Sequence, residues 1–128
     1  MQLPEDDERY LNDKAFEWEV VSDSAGACLV VRRYALDASK YEIAQTDLMV
    51  RIPAQYPMAN LDMFYVDPPV KLRGGAFPQA AESFEQHCDR RWQRFSRHLA
   101  TPWRAGVDGI ASFLAIVARE LAPNGGQA

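Results

Sequence analysis

The chain is poor in the features that mark several specialised classes of protein. It has two cysteines in 128 residues, Cys28 and Cys88, too few for a disulfide framework. No uninterrupted apolar run approaches the roughly 18 residues of a membrane helix. The first ten residues, MQLPEDDERY, lack the basic start and the apolar stretch of a signal peptide. Glycine (7) and proline (8) are too scarce for a fibrous chain. These absences predict a cytoplasmic protein without a membrane segment.

A basic excess and a metal-ligand cluster are also missing. Acidic residues outnumber basic ones by 18 to 14 and the formal net charge is −4, whereas nucleic-acid binders normally present a basic face. Nucleic-acid binding is therefore not expected, although five arginines crowd between residues 90 and 104. The two histidines and two cysteines form no close set of three ligands, which argues against zinc. Gly74-Gly75 lacks the sequence context of a phosphate-binding loop, so nucleotide binding is not expected. Neither a metal nor a cofactor is therefore predicted.

What the chain does contain is enough apolar sequence, 48%, for one ordinary core. We predict a single domain over residues 1–128, with its core at about 5–121 and a flexible tail at 123–128. Pro4 followed by three acids predicts a helix over 4–14. Alternating and apolar runs predict four strands, and hairpin-like links between them predict an antiparallel meander. The four predicted strands cover residues 16–21, 27–36, 46–53 and 60–69.

The pattern changes after Pro69. Residues 71–80 are loop-like, and residues 80–98 carry no clean period, so we expect an irregular segment there with a short helix around 80–87. Apolar residues from Val107 to Leu121 recur at three- and four-residue steps, which predicts a final helix over 107–121. Helices packed on one antiparallel sheet make the predicted fold class α+β.

Three sequence features occur in an order known from one family. RIPAQYP (51–57) is followed by FYVDPP (64–69) and then by Trp103 just before the final helix. This order resembles the ubiquitin-conjugating (UBC) fold over residues 5–121. The resemblance implies an N-terminal helix, a four-stranded antiparallel meander, an irregular active-site segment and a C-terminal helix. DMFYVDPP, GGAFPQA and WQRFSRH further resemble a bacterial branch found in ubiquitin-like modification operons.

The resemblance implies an acyl-transfer function. A UBC-type enzyme accepts the C-terminus of a ubiquitin-like protein from an activating enzyme as an ester, and an amine of the target then attacks that ester. The implied partners are therefore a ubiquitin-like protein and a ubiquitin-activating-like enzyme. Operons of this branch also encode a JAB-type protease, and antiviral defence is the role that such operons suggest.

The nucleophile is where the chain departs from the family. The family cysteine follows a His-Pro-Asn string and stands about eight residues before the tryptophan, but no such string lies between Pro69 and Trp103. Cys88 lies fifteen positions before Trp103, whereas Ser96 lies seven positions before it and within WQRFSRH. The resemblance thus favours an oxyester on Ser96. A thioester on Cys88 is second, although a thiol is by nature the better nucleophile.

Residues around Ser96 supply the other roles that the chemistry needs. In an extended segment the side chain of His98 points the same way as that of Ser96, so His98 is the predicted general base. Arg94 and Arg97 are predicted to hold the oxyanion or the tail of the ubiquitin-like protein. Each residue also has a structural interpretation, since Ser96 could cap a turn, Cys88 could be a bystander thiol and the arginines could form a solvated face. The rival hypothesis is therefore a non-catalytic UBC- or RWD-like protein-binding module in the same pathway.

Overall fold

A six-stranded antiparallel sheet with two helices on one face forms the molecule. The computed structural model describes residues 2–126. The sheet order is β1-β2-β3-β4-β6-β5, and all neighbouring strands are antiparallel. The elements are α1 (Glu5–Asp13), β1 (Glu17–Asp23), β2 (Gly26–Ala35), β3 (Gln45–Pro53), β4 (Phe64–Asp67), β5 (Ser83–His87), β6 (Arg90–Phe95) and α2 (Ile110–Leu121). The α+β class is confirmed.

The predicted number of strands is wrong. The sheet contains two more strands than the predicted four-stranded meander, and both come from the segment expected to be irregular. No helix forms around 80–87, because β5 and β6 make a tight hairpin there. Cys88 and Asp89 form its two-residue turn with φ of 50° and 61°, the left-handed conformations of a type I′ hairpin turn.

The period of β6 is hidden because the strand is buried on both faces. Phe95 lies in the main core under the helices, whereas Trp92 belongs to a smaller cluster on the opposite face. Gln93 occupies a position between them at which an apolar residue would be expected, and it is fully buried. A strand of this kind shows no simple alternation of apolar and polar residues.

The two helices close one face of the sheet over the main core. The largest side chains that are almost fully buried there include Leu11 of α1, Phe113 of α2, and Phe64 and Phe95 of the sheet. Phe64 and Phe95 stack with their ring centres 4.7 Å apart. The smaller cluster on the other face contains five buried side chains: Cys28, Val30, Met49, Tyr65 and Trp92.

Helix α2 begins three residues later than predicted. Val107 is 68% exposed and does not face the core. Gly109 precedes the helix, and its N–H donates to the Ser112 hydroxyl at 3.0 Å. The turn Pro123–Gly126 follows α2, while residues 127–128 of the predicted tail lie outside the described residues. Between residues 2 and 126, no helix has the length and apolar character needed to span a membrane.

A half-buried hydrogen-bond network joins α1, the corner at Tyr56-Pro57 and the start of α2. The Tyr56 hydroxyl donates to Asp7 at 2.5 Å and accepts from the Ile110 N–H at 3.0 Å. Burial raises the pKa of Asp7 above its usual value, although the hydrogen bond from Tyr56 opposes this. Trp103 donates from its indole N–H to the Pro57 carbonyl at 2.9 Å. The loop before α2 is thereby held against this corner.

Candidate functional site

The segment that carries Ser96 continues β6 as an extended strip. The Ser96 N–H donates to the Ala80 carbonyl at 3.1 Å, and the Met63 N–H donates to the Arg97 carbonyl at 2.8 Å. Residues 96–98 are therefore held from both sides although they lie beyond the end of the strand. Ser96 is half-buried and His98 is exposed.

Side chains along this strip alternate between the two faces of the sheet. Phe95 points into the helix-covered core, and Arg97 reaches Glu120 of α2 on the same side. Because side chains alternate along an extended chain, Ser96 and His98 face the opposite side, which carries no helix within residues 2–126. Within residues 2–126, no hydrogen bond joins Ser96 Oγ to His98. Bonds of this kind are often long in a free enzyme and shorten on substrate binding.

His98 has a carboxylate partner that sequence reasoning missed. Its Nδ1 lies 2.5 Å from Asp62 Oδ1, and the two side chains are 60% and 41% exposed. A carboxylate on Nδ1 favours the tautomer with the proton on that atom, which leaves Nε2 free to accept a proton. Asp62 lies in the DMFYVDPP string quoted above, but it precedes His98 by 36 residues. No spacing rule could have paired the two.

Arg94 and Arg97, the arginines predicted to hold the oxyanion or the tail, are both engaged in ion pairs. Arg97 forms a two-pronged pair with Glu120, with N–O distances of 2.6 and 2.8 Å, and its Nη1 donates to the Ser96 carbonyl at 3.1 Å. Arg94 donates to Glu85 at 2.6 Å, and its Nε is buried without a hydrogen-bond partner among the described residues. Arg97 thus fixes the Ser96 backbone from the helix side, whereas Arg94 shares the face of Ser96.

Glu85 organises the charges beside Arg94. It accepts hydrogen bonds from Arg94 and from the Tyr65 hydroxyl at 3.1 Å, and it lies 2.8 Å from His87 Nε2. Burial alone would raise the pKa of Glu85, but the hydrogen bonds with His87, Arg94 and Tyr65 hold it below its usual value. The carboxylate therefore stays ionised, and His87 is oriented toward Glu85.

Cys88 lies at the other end of β6 from Ser96, in the hairpin turn. Its sulfur is 3.5 Å from the Val21 carbonyl and 3.6 Å from Asp23 Oδ2. Burial, a hydrogen bond with Cys28 and the charge of Asp23 raise the pKa of the Cys88 thiol to about 12. A thiol in this state is almost wholly protonated at neutral pH and is a poor nucleophile. The structure does not bring Cys88 together with Ser96 or His98.

Two clefts of the molecule lie away from Ser96. One of about 360 Å³ lies between α1, α2 and β2, and its lining includes Tyr10, Phe16 and Leu114. The other, of about 310 Å³, surrounds the network of Tyr56 and Asp7. Within residues 2–126, no three histidine, cysteine, aspartate or glutamate side chains are grouped to hold a metal ion.

Comparison with known proteins gives a family. The model of prokaryotic E2 family E matches residues 3–124, nearly the whole chain. Neither the search of curated proteins nor that of solved structures gave a match. At the family level the match supports an E2-like conjugating role, for which a ubiquitin-like protein and its activating enzyme are the general partners. The chain therefore belongs to prokaryotic E2 family E, which confirms the predicted membership of a bacterial ubiquitin-conjugating-enzyme-like family.

Proposed function

We propose that this protein carries the C-terminus of a ubiquitin-like protein as an oxyester on Ser96 and transfers it to an amine of a target. It would act in the cytoplasm, beside a JAB-type protease of the same operon and in the antiviral role that such operons suggest. The observation that carries the proposal is the extended 96–98 strip. It presents Ser96 and His98 on one face, and Asp62 holds His98 Nδ1 at 2.5 Å.

In the loading step, Ser96 Oγ attacks the carbonyl carbon of a thioester on the activating enzyme. With Nδ1–H donated to Asp62, His98 Nε2 takes the hydroxyl proton as the new C–O bond forms. The C–S bond then breaks, and His98 returns the proton to the departing thiolate. A serine hydroxyl needs such a base because it is scarcely ionised by itself.

In the transfer step, the amine of the target attacks the ester carbon. The C–O bond to Ser96 breaks, and the proton lost by the amine reaches Ser96 Oγ through His98. An oxyester is less reactive toward amines than a thioester, so this step needs stabilisation of the oxyanion. Arg94 is proposed for that role because it shares the face of Ser96. Arg97 is proposed to act from the helix side, by fixing the Ser96 carbonyl that it contacts at 3.1 Å.

The alternative is a non-catalytic protein-binding module of the same pathway. Two observations favour it: the family's His-Pro-Asn string is missing, and Ser96 makes no hydrogen bond to His98 within residues 2–126. The high pKa of Cys88, about 12, also weakens the thioester route. This alternative predicts binding to the same partners without any covalent adduct.

A loading assay separates these possibilities. The protein is incubated with ATP and with the activating enzyme and ubiquitin-like protein encoded beside its gene, and adducts are read by intact mass. Ser96→Ala and Cys88→Ala are compared with the control Ser83→Ala, which changes an exposed serine on the adjacent strand β5. We expect an adduct that is lost only in Ser96→Ala, resists thiols and is cleaved by hydroxylamine.

Two results would overturn the proposal. An adduct lost only in Cys88→Ala and released by thiols would establish a thioester. If no variant forms an adduct although the activating enzyme forms its own thioester with the ubiquitin-like protein, the result would support the non-catalytic binding module. Asp62→Ala is expected to slow loading without abolishing it, and Asp13→Ala, at the exposed end of α1, is its matched control.

A further inference from the structure

Strand β5 forms one edge of the sheet, and a surface of aromatic and cationic side chains lies around Phe84 of this strand. The rings of Phe77 and Phe84 meet edge to face with their centres 6.1 Å apart. Lys71 Nζ lies 4.9 Å from the centre of the Phe77 ring, and the Arg91 guanidinium lies 4.2 Å from that of Phe84. We name these four residues the edge patch.

The two cations of the edge patch lack the carboxylate partners that their neighbours have. Arg90 pairs with Asp47 and Asp67, and Arg94 pairs with Glu85. Within residues 2–126, neither Lys71 nor Arg91 forms an ion pair, and the cationic group of each lies over an aromatic ring. Two uncompensated positive charges on one surface of a chain with a net charge of −4 favour an acidic partner.

The backbone of β5 is available on its outer side. The strand pairs with β6 on one side only, and no strand within residues 2–126 lies beyond it. An unpaired strand edge presents a row of N–H and C=O groups that an extended peptide can pair with. Phe84 and Arg91 lie on one face of this edge, because Phe84 pairs with Gln93 and side chains alternate along β6.

We infer that the outer edge of β5, together with the edge patch, binds an extended acidic segment of a partner protein. The segment adds a strand to β5, places carboxylates on Lys71 and Arg91, and rests an apolar side chain against Phe77 and Phe84. The segment leading into β5 carries the Ala80 carbonyl that accepts from the Ser96 N–H at 3.1 Å. The segment leading into this edge is thus hydrogen-bonded to the backbone of the proposed carrier residue, but binding of the partner does not depend on ester chemistry.

The test is a titration of the 15N-labelled protein with the peptide Gly-Glu-Val-Glu-Phe-Glu-Ser-Gly, followed by NMR. We expect shifts confined to the amides of residues 82–87 and the edge patch, and weaker binding at high salt. Lys71→Glu/Arg91→Glu is expected to weaken binding about tenfold or more. The control variant Lys14→Glu/Arg119→Glu makes the same change in net charge at the C-terminal end of α1 and on α2. It should bind the peptide as the wild type does.

Three results would overturn the inference. The first is the absence of shifts at β5 with the acidic peptide. The second is equal binding of a matched peptide with lysines in place of the glutamates. The third is tighter binding at the same residues of a single-stranded oligonucleotide, which would indicate nucleic acid instead. Ser96→Ala should bind the peptide as wild type does, so a failed loading assay with intact peptide binding would refute only the ester.

Discussion

At the scale of single residues, the two cysteine sulfurs share one guanidinium. Arg51 Nη1 lies 3.2 Å from Cys28 Sγ and 3.7 Å from Cys88 Sγ, and it also pairs with Asp23 at 2.9 Å. A guanidinium alone would favour a thiolate. For Cys88 this effect is outweighed by burial, by the hydrogen bond with Cys28 and by the carboxylate of Asp23. The exposed end of the hairpin therefore holds a thiol that stays protonated.

We predict that Cys88 reacts slowly with iodoacetamide in the folded protein. Burial, Cys28 and Asp23 raise the pKa of this thiol, so its thiolate fraction at neutral pH is far smaller than that of a free cysteine. Peptide mapping after labelling at neutral to alkaline pH measures the rate at Cys88, and the urea-unfolded chain is the control. Equal rates in the folded and unfolded chains would show that Cys88 is ionised and would revive the thioester mechanism.

The same shift has a consequence for stability. The folded state holds the Cys88 proton to a higher pH than the unfolded chain, whose thiol titrates near 9.0. As the pH rises through the unfolded value, the unfolded chain releases this proton first, so the folded state loses stability relative to it. The free energy of unfolding should therefore fall at alkaline pH, and Cys88→Ala should remove the part of this fall that comes from Cys88.

At the scale of elements, Gln93 ties the β5–β6 hairpin to the loop before it. Its side-chain oxygen accepts from the Val70 N–H at 2.6 Å, and its amide nitrogen donates to the carbonyls of Val70 at 3.0 Å and Ala81 at 2.7 Å. One buried amide thus satisfies three backbone groups that no strand pairs. This explains how a segment rich in glycine and proline can lie against the core.

We predict that Gln93→Leu destabilises the protein despite its apolar position. The substitution leaves the Val70 N–H and two carbonyls buried without partners, at a cost of about 2 to 4 kcal/mol in the free energy of unfolding. Urea unfolding measures this cost. Gln86→Leu, an exposed position on β5, is the matched control and should change stability little. A neutral result at Gln93 would mean that water replaces the lost hydrogen bonds.

The same residue shows what the sequence could and could not predict about the elements. Helix α1 and strand β1 were predictable because one face of each is wet, so that polarity follows their period. Strands β2 and β3 were predictable because their nearly continuous apolar runs are typical of buried strands. The β5–β6 hairpin was not predictable, because β6 is buried on both faces and carries the polar Gln93 at a position where a buried strand normally has an apolar residue. For the site, the WQRFSRH string indicated Ser96 and His98, but Asp62 reaches His98 only through tertiary folding.

At the scale of the whole molecule, the two faces of the sheet are covered by different means. Helices cover one face, whereas ion-paired arginines cover the other within residues 2–126. Arg90 lies 4.3 Å from the centre of the Trp92 ring and pairs with Asp47 and Asp67. Arg51 and Asp23 pair above Cys28. Both clusters nevertheless share the same strands, since Val30 and Val31 point to opposite faces of β2.

We therefore predict that the two faces unfold together. In the background Trp18→Phe/Trp103→Phe, Trp92 is the only tryptophan, and its fluorescence reports the smaller cluster. Phe113→Ala removes a fully buried ring on the helix side and should lower the free energy of unfolding by about 3 to 5 kcal/mol. Because the strands are shared, the Trp92 transition in urea should move as far as the far-UV circular dichroism does.

Two comparisons make this test decisive. Ala115→Gly changes an exposed residue of the same helix and should cost only about 1 kcal/mol, so it controls for loss of helix propensity. If Phe113→Ala shifted the circular dichroism but left the Trp92 transition in place, the face of the sheet that carries Ser96 would be stable without α2. The Arg97–Glu120 ion pair connects α2 to the 96–98 strip. This ion pair would then hold the strip in place only while α2 is folded.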